Sequence, residues 1–336
     1  MNTRPFLLLV VVWLAIGSYL RLQQLPSQWL ADDEWHALHV LQSTEGYAAL
    51  FSYVGVADVS TPLMLYFRAW MDGAGLDETR MRLPSTIAGI ALLALGASLA
   101  WRRYGPLAAT VSTGLLSLSP LLIYYSRNSR PYALALLLAW AALLLCIRWR
   151  RSPTLLVGIA YLLCASLASW LHSSVLPFVG APLVWIFLAQ WRARSTETRR
   201  TLFLGLATLA PIAALSLWPM WQRRDVLAQR MGEDLPSLDT LIGVSHLWTG
   251  TQYAPLVALW LALAAYGAWQ LAKARDEVVF FAALGTAAIT LSVLIMEPAW
   301  VQKPITAARY HLAALPLLLL CVARGATDLA SFAPRL

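Results

Sequence analysis

Residues 131–151 read PYALALLLAWAALLLCIRWRR. No charge interrupts Pro131 to Ile147, and Arg148-Trp149-Arg150-Arg151 follows at once. The apolar residues run continuously instead of alternating with polar ones, which marks a helix and not a half-buried strand. About 20 apolar residues carry a helix across the hydrocarbon core. In lipid only a helix or a closed barrel satisfies every backbone N–H and C=O. Arginines at the exit fit a cytoplasmic connector. This stretch predicts a transmembrane helix that ends on the basic side.

The pattern repeats in both directions. Apolar runs at 6–20, 84–101, 106–124, 131–147, 154–171, 173–190, 201–219, 253–271, 278–296 and 310–324 predict about ten spans. Composition agrees: 59% of the 336 residues are hydrophobic and 12% are charged, against about 25% charged in a soluble domain. The expected fold is all-α, a single polytopic integral membrane domain over 1–336 without a soluble C-terminal domain. The run at 6–20 follows Arg4 and has the look of a signal peptide. No small-residue cleavage site follows it, so it reads as a retained span. Cys146, Cys164 and Cys321 lie inside apolar runs without metal-ligand spacing and read as small buried hydrophobes.

The connectors set the sidedness. Trp101-Arg102-Arg103-Tyr104, Arg148 to Arg151, and Arg192 to Arg200 are strongly basic. With both termini, that side holds about 14 basic and about 4 acidic residues, against about 11 and about 13 opposite. Topology therefore accounts for the net charge of +8, and no motif supports nucleic-acid binding. Both termini are expected in the cytoplasm, and the long loops 21–82 and 221–252 outside. Thr61 to Ala74 is also apolar, but at about 14 residues, with Arg68 and Asp72 inside, it falls short of a span. It reads, with 35–50, as a helix lying in the outer interface.

The predicted outer face gathers the reactive side chains. Asp32-Asp33-Glu34 comes just after the first span. Neighbouring carboxylates repel, which suits a general base or a metal ligand, although acids also favour a plain helix start. Tyr124-Tyr125-Ser126-Arg127-Asn128-Ser129-Arg130-Pro131-Tyr132 holds two arginines in a connector too short to leave the membrane boundary. A guanidinium offers phosphate a planar fork of donors; the alternative is snorkelling to headgroups. These arginines lie on the side that the positive-inside bias disfavours, which tips the reading toward a binding role. His172 stands at another outer turn and gains a metal role only with Asp33 or Asp58 beside it. Lys303 and Arg309-Tyr310-His311 enter the last span from the same side. A carboxylate beside a cationic phosphate site is what sugar transfer from a phospholipid-linked donor requires. The sequence has no Gly-rich phosphate loop, Ser-His-Asp set or zinc motif.

In order along residues 1 to about 325, these stretches resemble the C-type (GT-C) glycosyltransferases. The likeness is to the branch of the protein O-mannosyltransferases and lipid A aminoarabinose transferases. Asp33-Glu34 is similar to that family's acidic loop motif. Asp58-Val59-Ser60-Thr61-Pro62-Leu63 is similar to its Asp-x-His-Pro-Pro-Leu element, and Arg82-Leu83-Pro84-Ser85 to its Arg-Leu-Pro-Ser. Tyr124 to Tyr132 is similar to its Tyr-Tyr-Ser-x-x-x-Arg-x-Tyr connector. His172 and Arg309-Tyr310 sit where the family has a His and an Arg-Tyr.

The resemblance implies an inverting transferase that takes a sugar from a polyprenyl-phosphate donor. Asp33 would be the base, with Asp32 and Glu34 as the alternatives. Arg82, Arg127, Arg130, Lys303, Arg309 and Tyr310 would hold the donor phosphate. A divalent metal at Asp58 and His172 is the one cofactor candidate, and Ser60 in place of the family's His counts against it. Longer relatives carry more chain, so a partner membrane protein is a candidate for presenting a lipid, glycan or protein acceptor. The expected setting is a bacterial-type inner membrane with the active site outside. Two readings without transfer chemistry stay open: a carrier that moves a lipid-linked saccharide, and a scaffold for a partner transferase.

Overall fold

The computed structural model describes residues 3–30, 32–52, 60–192, 224–229, 231, 232 and 234–332, with single positions at 214, 218 and 221. The predicted span at 201–219, apart from positions 214 and 218, and Asp58 fall outside these residues, as do the side chains of Asp32 and Asp33. The described elements are all helices. In order they are α1 (Arg4–Leu22), α2 (Asp32–Ser43), α3 (Gly46–Ser52), α4 (Thr61–Asp72), α5 (Glu78–Tyr104), α6 (Pro106–Leu118), α7 (Pro120–Ser126) and α8 (Tyr132–Arg151). There follow α9 (Leu155–Leu171), α10 (Leu176–Arg192), α11 (Arg224–Ala228), α12 (Leu238–Thr249), α13 (Ala254–Lys273), α14 (Glu277–Met296), α15 (Pro304–Tyr310) and α16 (Leu315–Phe332).

Six described stretches are long and apolar enough to cross a membrane: α1, α5, α8, α13, α14 and Leu312–Ser331. The pair α6–α7 makes a seventh if its bent halves count as one span, and α9 and Ser173–Ala189 are apolar but shorter. Among the described residues the count thus stays below the ten read from the sequence. The predicted rod at 106–124 is two arms bent by 58° at Ser119. Proline causes the break: its ring removes an N–H and clashes with the carbonyl four residues back. Pro120 therefore leaves the Leu116 carbonyl without its helical partner.

The loop 21–82 folds on a small core of its own. Ala37, Val40 and Leu41 of α2, Leu50 of α3, Leu63, Met64 and Phe67 of α4, and Met81 of α5 are buried together. None of these loop helices spans. The longest have 12 residues, about 18 Å of helix against about 30 Å of hydrocarbon. The segment read as one interfacial helix at 35–50 is two, since Gly46 takes a φ of +72° where α3 begins.

The main core surrounds α8, where Trp140 donates its indole N–H to the Ala313 carbonyl at 3.0 Å. Helices α13 and α16 cross backbone to backbone at small residues, as membrane helices commonly do. A Cβ on Gly267 would run into the Cys321 carbonyl, and one on Gly325 into that of Leu263.

The basic connectors cluster at one end of the bundle. Arg103 Nε and the Tyr104 hydroxyl donate to Asp276 at 2.6 and 3.1 Å. Asp276 in turn caps α14 by accepting the Val278 and Val279 N–H groups. Arg150 and Arg151 both pair with Glu277 in the first turn of α14. Acids at a helix N-terminus meet its positive dipole end. From Arg82 to Arg103 α5 rises about 30 Å, so this network lies at the opposite end of the bundle from Arg82.

Candidate functional site

Arg82 organises the other end. Its side chain is fully buried, and all five of its N–H donors are used. Nε and Nη2 hold the two oxygens of Glu34 at 3.0 and 2.8 Å. Nη1 donates to the carbonyls of Leu25 and Gln28 at 2.9 and 2.8 Å, and Nη2 to that of Trp29 at 3.0 Å. The linker between α1 and α2 is thus wrapped around one guanidinium. In this arrangement Arg82 has no N–H donor left over for the phosphate expected of it. Glu34 is held in the same way: its buried carboxylate also accepts the Ser129 N–H at 2.8 Å and so ties α2 to the connector before α8.

The hydroxyls after Arg82 fix the same connector. Ser85 Oγ donates to the Arg130 carbonyl at 2.8 Å and Thr86 Oγ1 to the Ser126 carbonyl at 2.9 Å. The stretch from Arg82 to Thr86 is a scaffold that brings the acidic turn and the arginine connector together. Asp32 and Asp33 are backbone neighbours of Glu34 in the first turn of α2.

Beside this junction lies a cleft of about 360 Å³, lined by Gln28, Glu34, Leu118, Pro120, Ile123, Tyr124, Arg127 and Asn128. Polar side chains (Gln28, Glu34, Arg127 and Asn128) and apolar ones (Leu118, Pro120 and Ile123) both line it. Arg127 is half-buried and donates to the Leu20 carbonyl at 3.1 Å and to Gln28 Oε1 at 3.2 Å. Its remaining N–H groups have no partner among the described residues. Leu118 and Tyr124 in its lining are exposed.

A second cluster forms around Tyr132. Arg130 and Arg309 stack over its ring at 5.9 and 5.5 Å, and His172 meets its edge at 4.9 Å between ring centres. Connectors far apart in sequence therefore converge here. Burial first, and then the charges of Arg309 and Arg130, push the His172 pKa down to about 3. The imidazole is neutral in the folded protein at ordinary pH, and its Nε2 is buried with no hydrogen-bond partner among the described residues. Two neighbouring guanidiniums repel a divalent cation, so this surrounding suits an anion better than the metal considered for His172. Among the described residues no three His, Cys, Asp or Glu side chains gather as a metal site.

The depressed pKa has a consequence for stability. Unfolded, the histidine takes up a proton near its ordinary value of 6.5. Stability is then full above about pH 6.5 and falls as the pH drops toward the folded value, by up to ~1.4 kcal/mol per pH unit. His172→Gln is expected to flatten that acid limb in thermal unfolding of the detergent-solubilised protein. An unchanged limb would show that another group controls it.

The other expected residues are spread more widely. Tyr310 is half-buried against the main core. Lys303 is exposed at the start of α15, with its ammonium 5.2 Å from the Trp300 ring centre. Two contributors escaped the sequence reading: Gln28, which orients Arg127, and Arg21, buried at the end of α1. For Arg21 the signal was a cation inside an apolar helix, facing a run interrupted by Pro120.

The architecture has solved counterparts. ArnT from Cupriavidus metallidurans in the apo state superposes with a TM-score of 0.65 at 14% identity, covering 97% of this chain and 61% of that one. The same protein bound to undecaprenyl phosphate gives 0.61 at 16%, covering 99% and 64%. At these identities the likeness shows the fold alone. This chain spans less than two thirds of the length of those structures. No family model and no curated protein sequence matches it.

Proposed function

We propose that this protein is an inverting membrane glycosyltransferase that takes its sugar from a polyprenyl-phosphate donor at the extracytoplasmic face of a bacterial-type inner membrane. The observation that carries this reading is the cleft: Arg127 and Gln28 line it together with the apolar Leu118, Pro120 and Ile123, and Glu34 of the acidic turn of α2 belongs to the same lining. Undecaprenyl phosphate, bound in the similar ArnT structure, has this dual character, an anionic head on an apolar chain.

In this reading a carboxylate of the acidic turn, Asp33 in the first instance, takes the proton of an acceptor hydroxyl. The oxygen attacks the anomeric carbon as the bond to the donor phosphate breaks. Arg127 meets the charge that builds on the departing phosphate, with Arg130 and Arg309 adding positive potential from beside Tyr132. The sugar inverts, and polyprenyl phosphate remains in the cleft. The acceptor is a lipid, a glycan or a protein, presented with or without a partner membrane protein.

Purified protein incubated with labelled polyprenyl-phosphate sugars and a membrane extract as acceptor source should yield labelled product and free polyprenyl phosphate. Movement of the donor between leaflets without cleavage would point to a carrier instead. Arg127→Ala should weaken undecaprenyl phosphate binding about tenfold, the loss of a charge-assisted contact. Unchanged binding would place the phosphate elsewhere.

A further inference from the structure

Pro84 inside α5 and Pro120 at the break between α6 and α7 each strand a carbonyl, and the fold answers them differently. Pro84 strands the carbonyl of Arg80, which accepts the Tyr66 hydroxyl at 3.0 Å. Pro120 strands that of Leu116, which accepts Arg21 Nη2 at 3.1 Å. A neutral hydroxyl suffices for the first. The second uses a buried guanidinium, 1% exposed, and burying a charge is costly unless it is well satisfied.

The extra donors explain the choice. Arg21 Nη1 also donates to the Ser117 carbonyl of the same arm at 3.3 Å and to that of Gly17 at 2.9 Å. Its Nε donates to Ser126 Oγ at 3.2 Å, at the far end of α7. One side chain therefore grips both arms of the 58° elbow, α6 through its last carbonyls and α7 through its last hydroxyl. Leu118, Pro120, Ile123 and Tyr124, which line the cleft, lie between those two grips, and Arg127 follows Ser126 directly. Small residues make room for the staple: a Cβ on Gly89 would collide with Ser126 Oγ. The Arg21 partners are three carbonyls and a hydroxyl, with no carboxylate among the described residues. Its charge therefore adds to the positive potential near Arg127 in a low-dielectric setting.

We propose that Arg21 is a positioning residue for the donor phosphate, acting through the elbow that shapes the cleft and sets Arg127. This rests on the transferase reading above. The test uses the full chain in detergent, with undecaprenyl phosphate as the probe and thermal unfolding alongside. Arg21→Lys keeps the charge but loses the fork. It should weaken binding about tenfold or more, and raise the donor KM more than it lowers kcat. Ser126→Ala frees only the α7 grip and leaves Arg21 in place. It should weaken binding about threefold with little change in melting temperature, which keeps the test decisive if Arg21→Lys fails to fold.

If wild type binds the probe, Arg127→Ala does not, and both staple variants bind like wild type, the inference on Arg21 fails while the transferase reading stands. It fails equally if Arg21→Lys melts lower but its folded fraction, like Ser126→Ala, binds normally, because Arg21 is then structural only. If wild type does not bind the probe, the donor reading falls and this inference with it.

Discussion

Arg82→Leu is expected to yield little or no folded protein. The substitution leaves Glu34 buried with a charge and without its bidentate partner, and removing one member of a buried pair costs about 3–5 kcal/mol. It also strands the carbonyls of Leu25, Gln28 and Trp29, each worth about 1–3 kcal/mol if it stays buried without a partner. Typical domain stabilities of about 5–15 kcal/mol do not absorb a loss of that size. The measurement is monodisperse yield and thermal unfolding in detergent. The double variant Arg82→Leu with Glu34→Leu removes both charges together and should recover part of the loss. Glu34→Gln keeps one acceptor oxygen and should fall between wild type and Arg82→Leu. A single Arg82→Leu protein that melts like wild type, but fails to bind undecaprenyl phosphate, would restore the direct phosphate role that its hydrogen bonding argues against.

Residue type and spacing made some of this architecture legible. Charge-free runs gave the long helices because lipid leaves the backbone no other solution. The clustering of Arg103, Arg150 and Arg151 around the start of α14 puts the connectors that carry them at one end of the bundle. The shortness of α4 followed from its length and from Arg68 and Asp72. What stayed hidden were pairings between distant segments. Arg82 and Glu34 both carried a charge, and from the sequence each looked suited to a substrate. Their mutual burial depends on how α2 folds back on α5, which composition does not encode. The elbow at Pro120 was visible as a proline within an apolar run, yet its depth depended on a neighbour, Arg21, able to satisfy the freed carbonyl. Arg130, His172 and Arg309 came from three separate connectors, and only Tyr132 at the start of α8 brings them together.

Asp33→Asn is expected to lower sugar transfer by about 10²–10⁴-fold, the usual contribution of a positioned general base. Elimination within the acidic turn supports Asp33. Glu34 is tied to Arg82 and to the Ser129 N–H, so the base of this turn is sought first in the two residues before it. The Glu34 anchor fixes the backbone of that turn against the arginine connector, which is where an acceptor would have to approach the donor. The amide introduced by Asp33→Asn preserves size and hydrogen bonding but does not take a proton. Donor binding, melting temperature and donor KM should therefore hold near wild type while kcat collapses. Glu34→Gln should show the opposite pattern, with less folded protein and near-normal turnover in the fraction that folds. Asp32→Asn is the internal control. If it abolishes turnover while Asp33→Asn does not, the base lies one residue earlier. If both variants transfer sugar at the wild-type rate, the acidic turn has no part in deprotonating the acceptor, and the proposed chemistry needs another base.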